Sequence, residues 1–86
     1  MSYSEKLREN GRLNIAGLYM RKYRETHQMS MREFAAFLEV RGLDWDYNIV
    51  ERMENGKRMI TDLELIRLAE VLNADIKDLV SVDLLK

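Results

Sequence analysis

The stretch that decides the fold is SMREFAAFLEVRGLDWDYNIVERMENGKR, residues 30–58. Ser30 and Glu33 have the spacing of a capping box. In that motif the serine side chain accepts from an early helical N–H, and the glutamate accepts from the N–H of the cap. The apolar residues that follow recur at helical spacing, namely Phe34, Ala35, Phe37 and Leu38. These signals predict a helix that begins just after Ser30.

A second helix is predicted in the other half of this stretch. Gly42 can end the first helix in a left-handed conformation. Asp44 and Asp46 both qualify as the next N-cap. Apolar residues then recur at steps of three and four, at Ile49, Val50 and Met53, before Gly56 ends the helix. Two short helices joined by a turn make a helix–turn–helix.

The segments on either side also have helical patterns. Asn14 is a good N-cap for a helix running to about Glu25 or His27. Its predicted apolar face consists of Ile15, Leu18, Tyr19 and Tyr23, with Met20 flanking it. The single His27 and the absence of cysteine exclude disulfides, thiol chemistry and a His- or Cys-based metal site.

Downstream, Thr61 and Glu64 form a second capping box, which starts a helix to about Leu72. Asn73 is suited to a left-handed C-cap, and Asp75 begins a last short helix. The helix after Thr61 has enough apolar residues to pack on two sides: Leu63, Leu65, Ile66, Leu68, Ala69 and Leu72. The chain is therefore predicted to be all-α, a compact bundle of five helices.

The domain is predicted to span residues 14–81. Residues 1–13 are polar and mixed in charge. They form either a solvated tail or a basic arm on DNA phosphates through Lys6, Arg8 and Arg12. Residues 82–86 form a short apolar tail that either folds back on the core or meets another subunit. No signal peptide or membrane-spanning run is present in the sequence, which predicts a cytoplasmic protein.

The formal net charge of −1 is low for a nucleic-acid binder, but its distribution matters more than the total. Residues 1–40 contain seven Lys and Arg against five Asp and Glu, and residues 41–60 contain four of each. Residues 61–86 contain three against six, so the acidity lies after the helix–turn–helix. No phosphate loop or nucleophile paired with a base is present, so we predict that the chain is not an enzyme and has no cofactor.

Four segments of the chain, in this order and at near-fixed spacing, match the sequence pattern of a known protein family. They are GLYMRKYR at 17–24, MS with EFA within 29–35, VERMENGKR at 50–58 and LIRLAEVLN at 65–73. Over roughly residues 14–80 the chain resembles the lambda-repressor-like family, the Cro- and Xre-type helix-turn-helix DNA-binding domains. It departs from that family in the link between the two motif helices, which is longer by about one helical turn. It also has Met31 where relatives often have Gln.

The resemblance implies which residues contact DNA. Base contacts fall on Tyr47, Asn48 and Arg52, with Ile49 as an apolar contact at the edge of the same face. An Asn side chain can bond adenine and an Arg side chain guanine in bidentate fashion. The residues themselves predict the phosphate contacts: Ser30 lies at a helix start, which suits a phosphate oxygen, and Arg32, Lys57 and Arg58 are the natural cationic anchors.

The resemblance also implies a structural ion pair between Arg24 and Glu54. It would tie the helix that follows Asn14 to the end of the second helix of the motif, which is the recognition helix in this family. The predicted function is a sequence-specific regulator of transcription that binds double-stranded DNA as a homodimer on a near-palindromic site. The alternative is a protein-binding module on the same fold, such as an antitoxin, antirepressor or adaptor.

Overall fold

The structure is a computed structural model that describes residues 10–86. This part of the chain contains five α-helices and one 3-10 turn. They are α1 (Ala16–Thr26), α2 (Met31–Val40), α3 (Tyr47–Glu54), α4 (Asp62–Leu72), α5 (Ile76–Leu79) and the 3-10 turn Val82–Leu85. The predicted all-α bundle of five helices, with α2 and α3 forming the helix–turn–helix, is confirmed. None of the helices between residues 10 and 86 is long and apolar enough to span a membrane.

Both predicted capping boxes form. The Glu33 N–H donates to Ser30 Oγ at 3.1 Å, and the Ser30 N–H donates to Glu33 Oε1 at 2.7 Å. Thr61 and Glu64 repeat the arrangement at 3.2 and 2.9 Å. Because each box satisfies two N–H groups that the helix itself leaves unpaired, α2 and α4 begin where the sequence predicts.

The link between α2 and α3 is the lengthened turn. Gly42 adopts a φ of +95°, a conformation that favours glycine, just after α2 ends. Trp45 is only 8% exposed and belongs to the hydrophobic core, so it covers the core beneath this turn. Asp46, rather than Asp44, is the N-cap of α3, and its Oδ1 accepts from the Ile49 N–H at 2.9 Å. The extra residues therefore form an anchored turn.

The core is assembled from all five helices and this turn. All five helices contribute its largest fully buried apolar side chains, which are Met20, Phe34, Leu38, Val50, Met53, Leu68 and Leu79. Helix α3 packs against both α1 and α2, and α5 packs against α4 and α1. This arrangement holds α3 by its inner face and leaves its outer face to solvent.

The predicted apolar face of α1 was centred wrongly. Its buried residues are Ala16, Gly17 and Met20, while Tyr19 and Tyr23 are half-buried at the margin. The pattern gave most weight to large side chains, whereas α1 approaches α3 through its smallest residues. Gly17 is the point of closest approach, because a Cβ atom there would clash with the carbonyl oxygen of Met53.

Helix α4 packs on one side only, and the prediction of two packed sides was wrong. Leu68, Ala69 and Leu72 are buried. Leu63 is 73% exposed and Ile66 is 44% exposed. The other helices cover a single face of α4, so its second apolar stripe faces solvent.

The ends of the described chain both contact the bundle. The 3-10 turn Val82–Leu85 lies against α1, and Leu84 borders a surface hollow with Tyr19 and Lys22. The apolar tail thus folds back. Residues 1–9 of the predicted tail at 1–13 lie outside the described residues. Lys6 and Arg8 of the predicted basic arm are among them.

Candidate nucleic-acid interface

The outer face of α3 presents two of the predicted base-contacting side chains together. Asn48 and Arg52 are both exposed and are one helical turn apart, so they lie on the same face. Val50 and Met53 on the opposite face are fully buried. This opposition fixes the rotation of α3 about its axis, and with it the direction in which Asn48 and Arg52 project.

Tyr47 lies at the start of the same face and is tied to two neighbours. The guanidinium carbon of Arg32, on α2, lies 4.7 Å from the centroid of the Tyr47 ring. The Tyr47 hydroxyl donates to Glu51 Oε2 at 3.4 Å. Ile49 is half-buried against the core, so only its outer edge is available for an apolar contact. A cation stacked on an aromatic ring links α2 and α3 directly across this face.

The four predicted phosphate-contacting residues differ in how they are engaged. Arg32 is exposed and takes part in the cation–π contact described above. Lys57 is exposed just beyond α3. Ser30 already uses its N–H and an oxygen lone pair in the capping box, which leaves its hydroxyl proton as the group able to donate. Arg58 forms a bidentate pair with Glu64, at 3.0 and 2.9 Å.

The Arg58–Glu64 pair has an electrostatic consequence. Hydrogen bonding from Arg58 holds the pKa of Glu64 below its ordinary value, against the opposing effect of desolvation. Glu64 is therefore a carboxylate at neutral pH. To contact a phosphate, Arg58 must give up one or both of its hydrogen bonds to Glu64.

Acidic side chains lie near the same surface. Asp44 and Asp46 are exposed at the end of the turn, and Glu51 is half-buried beside Tyr47. The Asp46 carboxylate is engaged with the first turn of α3, where a negative charge is favoured by the helix dipole. Between residues 10 and 86, no group of three or more acidic or histidine side chains is arranged to hold a metal ion.

The structure brings Arg24 and Glu54 together. Arg24 Nε lies 3.0 Å from Glu54 Oε2, and Arg24 Nη2 donates to Glu54 Oε1 at 3.0 Å. Glu54 is fully buried, although it is a charged residue. Its hydrogen bonds raise the pKa of Arg24. The pair joins the last turn of α1 to the last residue of α3.

Sequence reasoning missed several residues that hold the end of α3. Arg12 and Arg21 each donate to the Glu54 carbonyl oxygen, at 2.8 and 3.1 Å. Asn14 Nδ2 donates to the Met53 carbonyl oxygen at 3.0 Å. Nothing in the helical pattern points to the two arginines. A glycine inside the first turn of a predicted helix is the one sequence signal that could have marked the close approach of α1 to α3.

Comparison with known protein families supports the helix–turn–helix assignment. A family model described as helix-turn-helix, of the Cro- and Xre-like type, matches residues 20–79, which is more than half of the chain. No curated protein and no solved structure gives a match. The matched family consists of DNA-binding regulatory domains. The chain therefore belongs to the helix-turn-helix family of Cro- and Xre-type, lambda-repressor-like domains.

Proposed function

We propose that this protein is a sequence-specific regulator of transcription that binds double-stranded DNA with α3 in the major groove. The observation that supports this most directly is the exposure of Asn48 and Arg52 on one face of a helix whose other face is fully buried. In helix-turn-helix domains, exposed side chains in the N-terminal part of the second motif helix contact base edges.

The proposed roles follow from side-chain chemistry. Asn48 bonds the edge of an adenine and Arg52 the edge of a guanine, each contributing about 1–3 kcal/mol of discrimination. Tyr47 contacts a phosphate or a thymine methyl group, and Ile49 adds an apolar contact. The phosphate contacts are assigned to Ser30, Arg32, Lys57 and Arg58, and they position the domain without selecting sequence.

The second candidate is a protein-binding module on the same fold. The observation that favours it is the uncovered apolar stripe on α4, where Leu63 is 73% and Ile66 is 44% exposed. The net charge of −1 is also compatible with a protein partner. The two candidates differ in their response to salt, because phosphate contacts release counterions and apolar contacts do not.

Salt titration tests the proposal. Three cationic phosphate contacts in each subunit of a dimer predict that affinity for a duplex falls roughly a thousand-fold between about 50 and 200 mM salt. Lys57→Gln should reduce the slope of log affinity against log salt by roughly two, one unit for each subunit. Lys77→Gln, which removes an exposed charge on α5, is the matched control and should leave the slope unchanged. If the affinity for the duplex does not change with salt, or if no duplex binds at low salt, the protein-binding module is favoured instead.

We further propose that the protein acts as a homodimer through the exposed stripe of α4. Arg67 and Glu70 lie beside this stripe and pair with each other at 3.5 Å. A two-fold contact between two copies of α4 can set each Arg67 opposite the other subunit's Glu70, which is the self-complementarity that such an interface needs. A dimer on a near-palindromic site needs its two recognition helices ~34 Å apart.

Substitution of the stripe tests the dimer. Ile66→Glu should yield monomers in sedimentation equilibrium at micromolar concentration, while the wild type sediments as a dimer. The side chain is 44% exposed, so the fold should tolerate the change. A wild-type protein that remains monomeric both alone and on a duplex containing two half-sites would rule out the dimer.

A further inference from the structure

A short segment before α1 crosses the C-terminal end of α3. We call residues 12–14 the N-terminal strap. The Leu13 N–H donates to the carbonyl oxygen of Gly56 at 2.8 Å. Arg12 Nη2 donates to the carbonyl oxygens of the last two residues of α3, at 3.2 and 2.8 Å. The last carbonyls of a helix have no partner within the helix, so the strap supplies donors that α3 itself lacks.

Asn14 joins three parts of the structure at once. Its Nδ2 donates to the carbonyl oxygens of Met53, at 3.0 Å, and Arg58, at 2.7 Å. Its Oδ1 accepts from the Gly17 N–H at 2.8 Å. A single side chain therefore connects the first turn of α1, the last turn of α3 and the segment that follows α3.

The Arg12 guanidinium is directed at the protein. Besides the α3 carbonyls, its Nε donates to the backbone oxygen of Asn14 at 3.0 Å. Desolvation, together with the nearby charge of Arg21, lowers the pKa of Arg12. The negative end of the α3 dipole favours a cation at this place, so the guanidinium is well suited to it. An arginine held in this way has few donors left for a DNA phosphate.

We propose that Arg12 and Asn14 are positioning residues for α3, which fix its last turn and thereby the placement of Asn48 and Arg52 against the groove. Arg52 directly precedes Met53, whose carbonyl oxygen accepts from both strap side chains. The consequence for DNA rests on the proposed function, whereas the hold of the strap on α3 does not. The experiment therefore has one part without DNA and one part with it.

The part without DNA is amide hydrogen exchange on Arg12→Gln and Arg12→Lys. The amides that close the last turn of α3 belong to Asn55, Gly56 and Lys57. In both variants they should exchange roughly ten- to hundred-fold faster than in the wild type, because hydrogen bonds to a charged group are lost and a lysine cannot reproduce the planar fork. Amides of α4 should be unchanged. Lys77→Gln, which removes a positive charge from an exposed site on α5, is the control and should leave both sets unchanged.

The part with DNA compares a duplex selected by the wild type with a duplex of random sequence. Both Arg12 variants should bind the selected duplex roughly ten- to hundred-fold more weakly, while the random duplex and the salt slope stay as in the wild type. If Arg12 were a phosphate-contacting arm, Arg12→Gln would lower the salt slope and weaken binding to both duplexes, and Arg12→Lys would restore both.

Each outcome decides the inference. Unchanged exchange at the end of α3, or restoration by lysine, overturns the strap. Faster exchange with a selective loss of the preferred duplex supports it. If the wild type prefers no duplex, the proposed function fails and the role in positioning fails with it, while the exchange data still decide whether the strap holds α3.

Discussion

Replacing Glu54 with alanine should lower the free energy of unfolding by about 3–5 kcal/mol, because it leaves Arg24 without its partner in a largely buried site. Arg24 is only 16% exposed, and its remaining hydrogen bond is to the Met29 carbonyl oxygen at 3.2 Å. A domain of this size has a total stability of about 4–13 kcal/mol. The loss should appear as a fall in melting temperature on the order of 15–30 °C, followed by circular dichroism.

The matched control for this change is Asp83→Ala, which removes a carboxylate that also pairs with a cation, at 3.3 Å from Lys86 Nζ. That pair is exposed on both sides, with 78% of Lys86 and 79% of Asp83 accessible, so it should contribute well under about 1 kcal/mol. Glu54→Gln keeps the size of the side chain and removes its charge, and it should destabilise the protein nearly as much as alanine does. A melting temperature for Glu54→Ala within a few degrees of the Asp83→Ala value would show that the buried pair does not hold α1 to α3.

Replacing Gly17 with alanine should also be strongly destabilising, although helix propensity alone favours the change. Alanine inside a helix is about 1 kcal/mol better than glycine. At this position, however, a Cβ would clash with the Met53 carbonyl oxygen and would lie 2.7 Å from Asn14 Oδ1. A hydrogen bond from Asn14 Nδ2 holds the Asn14 side chain to the Met53 carbonyl oxygen, so neither group can give way alone and α1 and α3 must move apart. We expect a net loss of about 1–3 kcal/mol or more in urea unfolding.

The propensity contribution can be measured in the same protein. Ala36 is exposed on α2, so Ala36→Gly changes propensity without disturbing packing and should cost about 1 kcal/mol. If Gly17→Ala stabilised the protein by the amount that Ala36→Gly destabilises it, the close approach of α1 and α3 would be refuted.

The sequence predicted the elements that are governed by local signals. The capping boxes at Ser30 and Thr61 set the starts of α2 and α4, and Asn73 adopts the predicted left-handed conformation with a φ of +53°. These features depend on residues within a few positions of each other, so a linear pattern contains the information. The buried side of α3 was predictable for the same reason, since Val50 and Met53 are three residues apart and both are buried.

The sequence did not predict contacts between distant segments. The buried side of α1 was misplaced because the packed residues include Ala16 and Gly17, which have little apolar weight in a periodicity argument. The contacts of Arg12 with α3 span 41 and 42 residues, and no local rule connects positions so far apart. Only the ion pair of Arg24 and Glu54 was anticipated over a comparable distance, and that expectation came from the family resemblance.

The most direct test of the account is a selection of duplexes from a random pool, done with the wild type and with the Asn48→Ala/Arg52→Ala variant. Both side chains are exposed, and the hydrogen bond from Arg52 Nη2 to the Lys57 carbonyl oxygen is long, at 3.3 Å, and exposed, so the variant should fold and should melt within a few degrees of the wild type. We predict that the wild type enriches a near-palindromic motif, and that the variant loses preference at the base pairs these two residues contact while it retains salt-dependent binding. Enrichment of no motif by the wild type, or of the same motif by the variant, would contradict the claim that the outer face of α3 selects the DNA sequence.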